Sequence, residues 1–194
     1  MIKKKIAILL PYKENYSESY AGAASIWVKD YLSLSKLKNI TTVYGNLKKN
    51  LRPLTSNFIN IDISGKIIRK NIKYTEILYR DCLKKKYSII EIHNRPESLL
   101  FLIKKKINSK LTFIFHNNPK EMRGSTSVNE RLFIAENCDQ VYFVSKWVKD
   151  KFFENLPYKN RNNCEILYPS IKPLKRFPKK KNLIIFCGKL NSSK

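Results

Sequence analysis

Two histidines are the most informative residues for chemistry, and they are the only two in 194 residues. His93 opens the run His93-Asn94-Arg95-Pro96-Glu97, and His116 opens His116-Asn117-Asn118-Pro119-Lys120-Glu121-Met122-Arg123-Gly124. Imidazole titrates near neutrality and can give or take a proton, so either ring suits acid, base or hydrogen-bonding work on a hydroxyl. The plainer role is to tie a loop to backbone carbonyls, and this is expected more of His93 than of His116. Arg95 and Arg123 lie beside them. A guanidinium can grip an anionic group through two parallel bonds, which a Lys cannot reproduce.

Two further stretches have local chemistry. Ala21-Gly22-Ala23-Ala24-Ser25 is a run of small residues before a helix, where backbone N–H groups can approach a phosphate at the positive helix end. Tight packing of the helix on a sheet accounts for the same small residues. In Val144-Ser145-Lys146-Trp147, Ser145 is expected to cap the helix that follows.

The elements that must position these residues read as repeated βαβ units, because apolar runs rich in Ile, Val, Phe and Tyr alternate with segments of helical period. Strands are expected at Ile6–Leu10, Thr41–Tyr44, Phe58–Ile63, Ile89–His93, Thr112–His116, Gln140–Val144 and Glu165–Tyr168. Helices are expected at Ser25–Leu37, Ile68–Lys85, Pro96–Lys106, Val128–Asn137 and Lys146–Asn155. The fold class is α/β, a Rossmann-like parallel sheet flanked by helices. Residues 1–155 form that domain. Residues 156–182, rich in Pro, Asn and Lys, read as an interdomain connection with one short strand, and 183–194 as the first strand of a second domain that the chain leaves truncated. Ligands of open parallel sheets bind beyond the carboxyl ends of the strands. The governing expectation is therefore that His93 and His116 emerge side by side at neighbouring strand tips, facing an opening that Gly22 also borders.

Composition narrows the function classes. The formal net charge is +24, from 39 Lys and Arg against 15 Asp and Glu, a balance that suits nucleic acid, anionic lipid or an anionic substrate. Much of the excess is Lys in a chain also rich in Asn and Ile, as an AT-rich genome imposes. Lys3 to Lys5 enter a strand, whereas Lys84 to Lys86 and Lys104 to Lys106 close helices, where cations complement the dipole. All three clusters are expected on the rim opposite the crevice. Cys82, Cys138, Cys164 and Cys187 show no metal-ligand spacing and read as reduced. No apolar run is long enough to span a bilayer, and the start does not read as an export signal, so the chain is placed in the cytoplasm. No G-x-G-x-x-G follows the first strand and no G-x-S-x-G is present, which argues against a dinucleotide cofactor and a serine hydrolase.

The motifs in order are a glycine-containing loop before Ser25-Ile26-Trp27-Val28, then H-N-R-P, H-N-N-P-K-E-M-R-G, F-V-S-K-W-V-K, Y-P-S-I and F-C-G-K-L-N-S-S-K. That order resembles glycosyltransferase family 4 over nearly the whole chain, and within it bacterial enzymes that build cell-surface polysaccharide or lipopolysaccharide. The resemblance implies the GT-B fold, two Rossmann-like domains facing across a cleft, with the acceptor mainly on the first and the nucleotide-sugar on the second. It implies retention of anomeric configuration, no metal and no cofactor, with the nucleotide-sugar as co-substrate and a glycan or lipid-linked acceptor as partner. On this resemblance His116 is the catalytic residue, contacting the transferred sugar. Gly22, Lys189 and Lys194 meet the donor diphosphate, and His93, Asn94, Arg95, Asn117, Glu121 and Arg123 line the acceptor side. The family's paired glutamates would lie beyond Lys194, so the chain alone is expected to be inactive. Two departures stand out. Ala21 replaces the first of a usual glycine pair, where a left-handed backbone would cost energy, and Asn118 stands where an Asp is common. On the leading reading the chain is expected to contact anionic lipid peripherally at the inner face of the cell membrane and not to bind nucleic acid; the alternative is a basic Rossmann-like binding module for an acidic membrane surface or nucleic acid.

Overall fold

The computed structural model describes residues 4–63 and 69–169, so the expected strand at 183–187 and the residues Lys189 and Lys194 lie outside the described residues. Seven strands, β1 (Ile6–Leu9), β2 (Thr41–Gly45), β3 (Phe58–Asn60), β4 (Ile89–His93), β5 (Lys110–Phe115), β6 (Gln140–Phe143) and β7 (Cys164–Ile166), form one sheet in the order β3-β2-β1-β4-β5-β6-β7. Every pairing is parallel. The helices are α1 (Ala23–Leu34), α2 (Lys70–Lys85), α3 (Pro96–Lys104), α4 (Val128–Asn137) and α5 (Lys146–Phe153). The chain moves outward from β1 to β3, then returns to β4 on the other side of β1. Strand order thus reverses between β1 and β4, and this is where an open sheet of this kind leaves a crevice.

The strands are apolar on both faces because both faces are covered. On one face, Leu78 of α2, Leu99 and Leu102 of α3, Ile134 of α4 and Phe152 of α5 pack with Ile90, Ile92, Phe113 and Phe115 into the larger core. On the other, Trp27, Val28 and Leu32 of α1 pack on Ile8, Val43 and Ile114. Each such buried side chain contributes roughly 1.5–3 kcal/mol. The helix starts are specified locally. Pro96 occupies the first turn of α3, Ser145 Oγ accepts from the Val148 N–H, and Ser127 with Glu130 makes a reciprocal capping box.

Two boundaries differ from the sequence reading in ways that matter. Strand β5 starts at Lys110 and ends at Phe115, so His116 is the first residue of the loop and not the last of the strand. Strand β7, expected at Glu165–Tyr168 within the connection, runs Cys164–Ile166 and is the edge of this same sheet, paired through Val141↔Cys164. The Asn163 side-chain amide donates to the carbonyls of Ala135 and Cys138 and pins β7 in place. Three residues within a polar run carry no periodicity that would have assigned them to this sheet.

The basic clusters gather where the topology requires. Lys4 and Lys5 precede β1, Lys84 to Lys86 finish α2, Lys104 to Lys106 finish α3 and Lys110 opens β5. Strand starts and helix ends share one rim, and there a hollow of about 450 Å³ is lined in part by Lys4, Lys5, Lys85 and Tyr87.

Candidate functional site

The opposite rim carries the histidines. Strand β4 reads Ile-Ile-Glu-Ile-His, and its alternation sends Ile90 and Ile92 to the larger core and Glu91 and His93 to the α1 face. In the β4–β5 register His93 lies opposite Ile114, so His116, two residues on, projects from the same face. The two rings meet: His93 Nδ1 is 2.9 Å from His116 Nε2. His93 Nε2 is 2.7 Å from Glu91 Oε1, and the Tyr31 hydroxyl of α1 donates to that same oxygen at 2.7 Å. Trp27 closes the group edge-on, its ring centroid 5.3 Å from His93 and 5.5 Å from His116.

Burial divides the pair. His93 is 0% exposed and lies behind His116 as seen from the crevice, touching Glu91 and its partner ring and not solvent. His116 is partly exposed. Burial, then the neighbouring His93, push its pKa down to about 3, so it is neutral at physiological pH. Burial, then the Glu91 carboxylate, raise the Tyr31 hydroxyl well above its ordinary range, so it remains a donor.

Two hollows open at these strand tips. One, of about 560 Å³, is lined by His116, Asn117, Asn118, Ser145 and Trp147, among others, and Trp147 is 55% exposed. The second, of about 250 Å³, lies at the switch point between β1 and β4 and is lined by Tyr12, Lys13, Asn94, Arg95 and Arg123, among others. Glu121 and Met122 belong to both and divide them. Arg95 donates to the Asn94 carbonyl, and Arg123 pairs with Glu97 at 3.0 Å. Asn94 is buried, left-handed at φ 53°, and its side-chain oxygen accepts the His116 N–H at 3.3 Å, so it holds the two loops together.

The loop from His116 to Gly124 is held by its own short contacts. Asn118 caps the turn Pro119–Glu121 by accepting from the Lys120 N–H, and its amide donates to Glu121 at 2.7 Å. Gly124 has φ +91° and lies on the start of α3, where an added Cβ would fall 2.9 Å from the Glu97 nitrogen. Arg131 of α4, 1% exposed, anchors the far side by donating to the carbonyls of Ser125, Thr126, Phe152 and Glu154. Burial lowers its pKa, but the four carbonyls satisfy the guanidinium without a carboxylate.

Gly22 precedes α1 with φ −84° and ψ 178°, an extended conformation. Ala21 is not among the residues with positive φ, so the left-handed strain expected there does not arise. The space beside Gly22 is taken by Glu14: its carboxylate, the end of a flexible side chain, lies where a Cβ on Gly22 would be, and it accepts from the Ser25 hydroxyl at 3.1 Å. A carboxylate thus occupies the positive end of α1. Sequence reasoning missed Glu91, Tyr31 and Arg131. The lone acid in an otherwise apolar strand was the signal for Glu91, and Tyr31 lies on the apolar stripe of α1 with Trp27, though its polar role was not read; nothing in the helical pattern marked Arg131. Among the described residues no group of three or more His, Cys, Asp or Glu is placed to hold a metal ion.

No protein-family model matches the sequence, and no curated protein is similar to it at a significant level. Solved structures do match. Sucrose-phosphate synthase from Thermosynechococcus elongatus aligns with TM-score 0.58 at 16% identity, over 86% of this chain and 48% of that one. Anabaena HepE in complex with UDP and glucose aligns with TM-score 0.58 at 10% identity, over 87% of this chain and 45% of that one. A second structure of the synthase, TM-score 0.55 and 13% identical, is covered over 88% of its chain. The chain spans about half the length of the first two proteins it resembles. Its described part has the fold of one Rossmann-like half of the GT-B type.

Proposed function

We propose that this chain is the acceptor-side half of a retaining, metal-independent glycosyltransferase that moves a sugar from a nucleotide-sugar to a glycan or lipid-linked acceptor in cell-surface polysaccharide synthesis. The observation that carries the reading is His116, held neutral at the carboxyl end of the sheet in a hollow that Glu121 and Met122 share with the basic crevice of Lys13, Arg95 and Arg123. His116 contacts the transferred sugar. His93 backs it, and Asn94, Arg95, Asn117, Glu121 and Arg123 shape the acceptor side. The donor is a UDP-linked sugar, in keeping with the UDP and glucose bound to HepE. Its diphosphate meets Lys189 and Lys194 and reaches the α1 end at Gly22, where it displaces the Glu14 carboxylate. Neutralising the charge on the departing diphosphate is the main catalytic lever open to a metal-free transferase.

The test is transfer of labelled sugar from UDP-glucose and other nucleotide-sugars to lipid and glycan acceptors by the full-length gene product, with the product's anomeric configuration read by NMR. Transfer with retention supports the reading. No nucleotide-sugar binding, together with steeply salt-dependent binding to nucleic acid, would overturn it in favour of a basic binding module.

The rim lysines favour one addition, peripheral docking on the inner face of the cell membrane through Lys4, Lys5, Lys84 to Lys86 and Lys104 to Lys106. Each Lys near an anionic surface contributes about 1 kcal/mol. No helix among the described residues is long and apolar enough to cross a membrane. Cosedimentation with phosphatidylserine vesicles that fails at high salt is the expected result; equal sedimentation with neutral vesicles would contradict it.

A further inference from the structure

We infer that Glu91 and His93 are positioning residues that fix the tautomer of His116, so that His116 offers an unprotonated Nδ1 to a substrate hydroxyl. The inference rests on the proposed role of His116 but is tested apart from it. A carboxylate can only accept, so the His93 Nε2 at 2.7 Å from Glu91 Oε1 must hold the hydrogen. The inferred state takes His93 as the neutral imidazole, whose Nδ1 is then bare and accepts. The ring atom 2.9 Å away is His116 Nε2, so that nitrogen must donate. One proton on a neutral imidazole leaves His116 Nδ1 bare. The orientation thus passes along hydrogen bonds from a carboxylate, through an enclosed ring, to the ring that lines the hollow.

The surroundings limit the alternatives. Tyr31 of α1 faces Glu91 and donates to the same oxygen, which reinforces its accepting role. Tyr142 of β6 also feels Glu91 and is held protonated, chiefly by burial. Trp27 stands edge-on to both rings, which leaves them little freedom to flip. A hydrogen bond to a charged group favours one arrangement by roughly tenfold to a hundredfold.

The chain has two histidines, so long-range nitrogen–proton NMR on the histidine-labelled 194-residue protein at neutral pH reads each tautomer directly. The expected result is His116 protonated at Nε2 in roughly tenfold excess or more. Glu91→Gln, whose amide can either donate or accept, is expected to bring both His116 tautomers to comparable populations, while Tyr31→Phe leaves the wild-type ratio. His116 protonated at Nδ1 in the wild type would overturn the inference. So would an unchanged ratio in Glu91→Gln, which would remove Glu91 from the relay. These spectra require no sugar transfer: loss of the tautomer bias sinks the relay alone, and absence of transfer in the full-length protein sinks the functional reading alone.

Discussion

Acid should destabilise this protein through His116 in a way that one substitution can isolate. The folded ring has a pKa of about 3 because burial and the adjacent His93 oppose its charge, whereas the unfolded ring titrates near 6.5. Between these values the unfolded chain binds a proton that the folded chain refuses. Stability is therefore complete above pH 6.5 and falls as pH drops towards 3. At pH 4.5 the ceiling is about 2.7 kcal/mol, at 1.36 kcal/mol per pH unit. His116 is partly exposed, so solvent screening reduces the expected loss to about 2 kcal/mol. His116→Gln removes the titrating group and keeps a hydrogen-bonding side chain. Urea unfolding at pH 7.5 and 4.5 on both proteins gives a double difference in which the titrating groups that do not touch His116 cancel, leaving the pair of His116 and His93. The wild type is expected to lose about 2 kcal/mol more than the variant over that interval. Equal losses would show that the folded ring protonates freely, and the buried pair as described would be wrong.

Three other outcomes follow from the packing. Arg131→Met leaves four carbonyls without their donor and should cost about 3–5 kcal/mol in chemical denaturation, a large share of a domain's total stability. Gly124→Ala places a Cβ against the α3 backbone at φ +91° and should cost roughly 2 kcal/mol or more, whereas Gly22→Ala meets only the mobile end of Glu14 and should cost under about 1 kcal/mol. The thiols of Cys82 and Cys138 are pushed up to about 12 and that of Cys164 to about 11 by burial, so an aromatic disulfide reagent should leave these three unmodified until the protein unfolds.

Much of this arrangement was legible in the sequence because it followed from period and topology. The apolar runs specified buried parallel strands, and the parallel order alone put the lysine clusters on one rim and both histidines on the other. That the rings would lie side by side also followed, since β4 and β5 are consecutive strands with short connections. What the sequence did not reveal depends on side-chain choices between distant elements. Glu91 stands one strand alternation behind His93, yet Tyr31, which shares its oxygen, lies 60 residues away. Arg131 looks like any helix-surface arginine until the end of α5 adds the carbonyls of Phe152 and Glu154 to those of Ser125 and Thr126. Gly22 was read as room for a phosphate, but the structure shows that the same room accommodates Glu14, a relation no spacing rule encodes.

The most direct test that His116 acts at the reacting centre of the proposed sugar transfer is kcat for the full-length protein and its His116→Gln variant at pH 7.5, where His116 is neutral and its titration costs no stability. The expected result is a fall in kcat of about a hundredfold with little change in thermal unfolding. Wild-type kcat in a folded variant would contradict it.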